Sequence, residues 1–127
     1  MDKKIILSKD APAPIGPYSQ AVLIGQTLYC SGQIALDSEG NMHNEDIEAE
    51  TEQVMKNVGS VLKAAGMDYS HIVKTTIFIT DMNDFAKINS IYAKFFSGDF
   101  PARETVEVSA LPKGARVEIS VTAIQIK

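Results

Sequence analysis

Cysteine is almost absent from this chain: Cys30 stands alone among 127 residues. No intrachain disulfide is available, and the composition suits a reducing cytoplasm. Long apolar runs are also missing. No stretch approaches the ~20 residues that a bilayer-spanning helix needs. The opening Met1-Asp-Lys-Lys-Ile-Ile-Leu-Ser8 holds an apolar run of three residues, too short for a signal peptide. A cytoplasmic location with no membrane partner is therefore expected. Positive charge is in deficit, with 12 Lys and Arg against 16 Asp and Glu and a net charge of -4. Duplex binding usually needs a basic stripe, so a nucleic-acid partner is disfavoured. The two histidines, His43 and His71, have no second His or Cys at ligand spacing, and no metal site is expected. What remains is 45% hydrophobic and 22% charged, an ordinary globular composition. At this length one domain over residues 1–127 is expected, burying roughly two-thirds of its unfolded surface.

Two segments carry the strongest pattern. Pro101-Ala-Arg-Glu-Thr-Val-Glu-Val108 and Arg116-Val-Glu-Ile-Ser-Val-Thr122 alternate polar with β-branched residues, as strands with two differently used faces do. In the first, Val106 and Val108 share one face and Arg103, Thr105, Glu107 and Ser109 the other. In the second, Val117, Ile119, Val121 and Ala123 oppose Arg116, Glu118, Ser120 and Thr122. An arginine and a glutamate are thus expected on the face away from the core, the raw material for holding an anion and activating a water.

Earlier in the chain, residues 3–8 suit a short strand. Asp10-Ala-Pro-Ala-Pro-Ile-Gly-Pro17 has three prolines and a glycine in eight positions, which excludes helix and central strand. This stiff loop delivers Tyr18, Ser19 and Gln20. Residues 21–24 and 27–36 read as a hairpin about Gly25-Gln26, with Leu28, Cys30, Ile34 and Leu36 facing one way and Tyr29, Ser31 and Gln33 the other. Cys30 thus reads as an inert core thiol. Asp37-Ser-Glu-Gly-Asn41 is a turn cluster. Ile47, Thr51, Val54, Val58, Leu62 and Ala65 predict a helix over about 45–65, with Asn44 as its N-cap and Gly66 ending it. Its first turns hold Glu45, Asp46, Glu48, Glu50 and Glu52, where negative charge suits the macrodipole. Residues 72–80 read as a strand with Val73, Ile77 and Ile79 inward. A second helix is predicted over about 84–97, capped by Asp84, with Phe85, Ile88, Tyr92 and Phe95 as its stripe. These patterns predict an α+β fold with the helices on one face of a mixed sheet. The other face would carry Tyr29, Ser31, Gln33, Lys74, Thr76, Arg103, Thr105, Glu107, Glu118, Ser120 and Thr122, either in water or against another subunit.

Ala13-Pro-Ile-Gly-Pro-Tyr-Ser-Gln-Ala21, Cys30-Ser-Gly-Gln-Ile34, Val73-Lys-Thr-Thr-Ile-Phe-Ile79, Asn89 with Tyr92 and Phe96, and Pro101-Ala-Arg103 through Leu111-Pro-Lys-Gly114 to Glu118 closely resemble the RidA (YjgF) family of reactive-intermediate deaminases. The resemblance runs in order from about residue 5 to 126. It implies a chorismate mutase-like fold: a six-stranded mixed sheet with two helices on one face, the last strand inserted between the third and fourth. It also implies a homotrimer with the sheets facing the centre and three clefts between neighbours. The implied activity is hydrolysis of 2-iminobutanoate and 2-iminopropanoate to 2-oxo acids and ammonia, with no cofactor and a small 2-imino acid as partner.

Each residue so singled out has a bland reading beside the functional one. Arg103 is either a surface ion pair with Glu107 or a neighbouring chain, or a fork gripping a substrate carboxylate. Glu118 is either paired with Arg116 or Lys74, or, as the resemblance implies, the holder of the attacking water. Tyr18 either plugs the edge of the core or places its hydroxyl at the cleft. Ser31 and Gly32 fall mid-strand, where a glycine marks a close approach to the backbone; the resemblance makes the ligand that approach. Asn89 either ties helix to strand or contacts ligand. Thr105 joins the implied substrate-binding set, at a place where many bacterial members carry cysteine, so deamination here does not depend on a thiol. Glu104 replaces a small residue usual in the family, with no functional account. The same arginine would serve a non-catalytic regulator that senses a 2-oxo acid or amino acid.

Overall fold

The computed structural model describes residues 2–125. Its elements run β1 (Lys3–Ile6), β2 (Ala21–Ile24), β3 (Thr27–Cys30), α1 (Ile47–Ala64), β4 (Ile72–Ile79), α2 (Phe85–Ala93), β5 (Ala102–Glu107) and β6 (Val117–Ile124). The strands form one six-stranded sheet in the order β1-β2-β3-β6-β4-β5. β6 enters between β3 and β4 and is antiparallel to both, while β4 and β5 are parallel. The segment Leu111–Ala115 is thus no hairpin loop. It carries the chain from the edge strand back to the middle of the sheet.

Cross-strand partners point to the same face, so the register states which side each residue takes. Thr75, Ile77 and Ile79 of β4 pair with Val121, Ile119 and Val117 of β6, and all six are buried beneath the helices. On α1, Ile47, Thr51, Val54, Val58 and Leu62 recur at helical spacing and are buried. Each large aliphatic side chain removed from water in this way contributes roughly 1.5–3 kcal/mol. The helix ends as its sequence anticipates. Gly66 takes φ +75°, a left-handed value that only glycine adopts at little cost, and the amides of Gly66 and Met67 donate to the carbonyls of Lys63 and Leu62.

Several expectations are corrected. The cap of α1 is Asp46, whose carboxylate accepts from the Ala49 amide at 2.7 Å, not Asn44. Asp84 makes no side-chain cap; Asp81 opens a 3₁₀ turn over Met82–Asp84 that runs into α2. α2 itself ends at Ala93 rather than near 97. β3 stops at Cys30, and residues 31–36 touch the sheet through an isolated Gln33–Ile119 bridge. Gln33 there is buried, not on the open face. Val73 is exposed rather than inward because the register with β6 shifts between Ile72 and Lys74, a bulge that puts Ile72 inward in its place.

The most consequential correction concerns β5. Arg103, Thr105 and Glu107 pair with Thr75, Ile77 and Ile79, so they lie on the helix side of the sheet, not on the open face. Polar residues are tolerated there because β5 is the edge strand and meets only the rim of α2. Glu118 pairs with Phe78 and stays on the open face, as expected.

Candidate active site

Tyr18, Ser31, Gly32 and Glu118 come together on the open face, in a crevice of about 400 Å³ whose walls include Ile15 and Pro112. The proline-rich loop is pinned beside it by a residue the sequence did not advertise. The buried side chain of Gln20 accepts from the Ser8 amide at 2.6 Å and donates to the carbonyls of Ser8 and Pro12 at 3.1 and 2.9 Å. Ser31 completes the attachment, its hydroxyl donating to the Ser19 carbonyl at 2.6 Å and its amide to the Gln20 carbonyl at 2.9 Å. Tyr18 is 47% exposed, so it is no core plug. Its phenol oxygen accepts from the Ile15 amide at 3.2 Å, which folds the ring back over the loop.

Glu118 and Gly32 are in direct contact. A Cβ added at Gly32 would stand 2.7 Å from Glu118 Cδ and 2.9 Å from Cγ. The close approach that a mid-segment glycine signals is therefore made by the Glu118 side chain lying flat on the backbone. Partial burial raises the Glu118 pKa above its ordinary 4.5. Neither cation named as its partner is available. Arg116 bonds Glu50, its Nε and backbone amide donating to the two carboxylate oxygens at 2.8 and 2.7 Å. Lys74 pairs with Glu104 at 2.7 Å, and Thr76 also donates to that carboxylate. Glu104 thus belongs to a charged cluster on the open face.

Across the sheet, Arg103 lines a second depression of about 310 Å³ together with Asn89, Tyr92, Ala93, Phe100 and Pro101. Glu107 is not its partner, for it accepts from the Met82 amide at 2.7 Å instead. Among the described residues Arg103 has no ion pair. Asn89 is half-buried and lines the depression. Thr105 follows two residues after Arg103 on the same face, and its buried hydroxyl has no partner among the described residues.

Of the seven candidate residues, four therefore gather in one crevice, two in another, and Thr105 beside the second. Within one chain the guanidinium and the carboxylate occupy opposite faces. Cys30 is buried and its thiol is pushed up to about 12 by burial, consistent with an inert core residue. His43 meets Asp37 at 2.8 Å and His71 accepts from the Asp68 amide at 3.0 Å. Among the described residues no three His, Cys, Asp or Glu side chains are grouped to hold a metal ion.

Residues 8–125 match the family described as Endoribonuclease L-PSP, which takes in the RidA (YjgF) proteins. The chain belongs to that family. A human RidA-family relative, 2-iminobutanoate/2-iminopropanoate deaminase, is 48% identical over 97% of this chain and 90% of its own. The crystal structure of YyfA from Yersinia pestis, a Rid-family protein of unknown function, superposes with a TM-score of 0.94 at 53% identity, covering 98% of this chain and all of that one. TdcF from E. coli, crystallised with bound serine, gives 0.93 at 38% identity over 97% and 99% of the two chains. The mixed six-stranded sheet with two helices is the architecture of the RidA family.

Proposed function

We propose that this chain is a deaminase of 2-imino acids. In this reading Arg103 holds the substrate carboxylate with two parallel charge-assisted bonds, and Glu118 activates the attacking water. The observation that carries it is that both groups are uncommitted: among the described residues the guanidinium has no carboxylate and the carboxylate no cation, although each lines a crevice. Their separation on opposite faces requires two copies of the chain. Arg103, Asn89 and Thr105 of one copy meet Tyr18, Ser31, Gly32 and Glu118 of the next, and three such clefts close a homotrimer around the open sheet faces. Exposure of Tyr29 on the open face supports this packing, as does the family membership.

The chemistry balances without any cofactor, because an imine carbon is itself electrophilic. Glu118 takes a proton from water as the water oxygen bonds the imine carbon and the C=N pair moves to nitrogen, which receives that proton. A second transfer through Glu118 carries the hydroxyl proton to nitrogen. The C–N bond then breaks, ammonia leaves, and the oxygen restores a carbonyl. The products are a 2-oxo acid and ammonia. One- and two-carbon side chains suit the names borne by the relatives, so 2-iminopropanoate and 2-iminobutanoate are the substrates to test.

The test is a coupled assay with freshly generated 2-iminobutanoate on the parent chain and on Arg103→Ala. Loss of a charged bond worth ~1.5–3 kcal/mol lowers kcat/KM by one to two orders of magnitude. An unchanged kcat/KM removes Arg103 from the site.

A second reading, a sensor of small carboxylates without turnover, draws on the serine bound to TdcF. It predicts that Glu118→Gln changes nothing that matters. The endoribonuclease description draws no support from a net charge of -4, since RNA-backbone contact favours basic surfaces.

A further inference from the structure

A half-buried guanidinium is ordinarily steadied by a carboxylate, yet Arg103 is steadied by rings. Its Cζ lies 5.1 Å from the centroid of Tyr92 and 5.7 Å from that of Phe85. The two aromatics are seven residues apart on α2, hence two turns along one stripe, and both lean over β5. Tyr92 is buried and anchored: its hydroxyl donates to Thr75 Oγ1 at 3.0 Å. Thr75 is the β4 residue paired with Arg103 itself, so strand, ring and guanidinium form one closed circuit.

We propose that Phe85 and Tyr92 are positioning residues, an aromatic clamp that fixes the Arg103 fork and thereby sets the affinity for the ligand carboxylate. This rests on the reading of Arg103 as the carboxylate anchor. A carboxylate counter-ion would hold the guanidinium as firmly but would consume its donors. An aromatic face attracts the cation through the ring quadrupole and leaves the in-plane N–H groups free for a bidentate partner. The clamp also removes rotamer freedom from a long side chain before the ligand arrives, and that ordering cost is otherwise subtracted from binding.

Phe85 decides the matter, because it is 36% exposed and its replacement does not hollow out the core. Phe85→Leu keeps apolar volume and removes the ring; Phe85→Tyr restores a ring. Calorimetry with 2-oxobutanoate reads carboxylate affinity without turnover, while the coupled assay reads kcat and a thermal melt reads stability. Phe85→Leu weakens 2-oxobutanoate about 3- to 10-fold, with kcat and melting temperature held, and Phe85→Tyr returns the affinity. Tyr92→Phe, which keeps the ring and loses the Thr75 tether, gives a smaller loss. An unchanged Kd in Phe85→Leu overturns the clamp. So does a Phe85→Tyr that fails to rescue, or a loss of affinity matched by a fall in melting temperature. Arg103→Ala separates the two levels: if it binds 2-oxobutanoate as the parent does, the anchor reading itself fails, and the clamp with it.

Discussion

At the scale of single residues, the proposed chemistry turns on how Glu118 is housed. Burial raises its pKa, so the folded chain retains a proton at a pH where a free carboxylate has lost it. A general base must be ionised. The acid limb of kcat/KM is therefore expected above the ordinary value of 4.5, and a pH profile measures it. The same shift acts on stability with a definite sign. Between 4.5 and the raised value the native state binds more protons than the unfolded state, so stability falls as pH rises through that window. Glu118→Gln abolishes this slope and lowers kcat about 10²- to 10⁴-fold while leaving 2-oxobutanoate affinity in place; a variant that keeps full turnover ends the general-base assignment. Gly32 makes the housing possible. In Gly32→Ala the new Cβ would meet Glu118 Cδ at 2.7 Å. The atom in the way is the end of a flexible side chain, so the carboxylate swings out and the fold survives. The expected result is a normal melt with an acid limb moved toward the ordinary carboxylate value.

At the scale of elements, α1 shows what periodicity reveals and what it conceals. Apolar spacing and Gly66 place the helix correctly, because burying a stripe and ending on a left-handed residue are local demands. The acidic residues of its first turns all read alike, as charge suiting the macrodipole. Yet Glu50 is fully buried and bonded to Arg116, 66 residues away. Nothing in local spacing distinguishes it from Glu48, since only the return of the chain before β6 supplies the partner. Gln20 and Asn57 were hidden for the same reason. Asn57 donates to the carbonyls of Ile34 and Leu36 at 3.0 and 2.7 Å, holding a segment that has left the sheet. β5 is the opposite case. Its alternation is legible, but the face was assigned by assuming that valine marks the core, and at an edge strand neither face is dry. A consequence follows for stability. Arg116→Ala removes the cation from the buried Glu50 carboxylate and leaves it only the backbone amide of residue 116, a defect costing up to about 3–5 kcal/mol. Denaturant titration should show that loss. A change within about 0.5 kcal/mol, the range of an ordinary surface substitution, would mean that the pair is not a structural tie.

At the scale of the whole molecule, a single chain in the proposed reading presents two half-sites back to back, and this makes a prediction that no single-chain site shares. Arg103→Ala subunits retain Glu118, and Glu118→Gln subunits retain Arg103. In the proposed trimer each variant alone forms clefts that lack one group. In a mixed assembly, a cleft is whole wherever a Glu118→Gln copy lends its arginine to the crevice of an Arg103→Ala neighbour. If the two variants are unfolded, mixed in equal amounts and refolded together, about one cleft in four is intact, by the statistics of random closed assembly. Activity should rise from near zero to about a quarter of the parent value, and mixing already folded proteins should give this only as fast as subunits exchange. Were both groups to serve one crevice within a chain, every cleft in every mixture would carry a defect, and co-refolding would recover nothing.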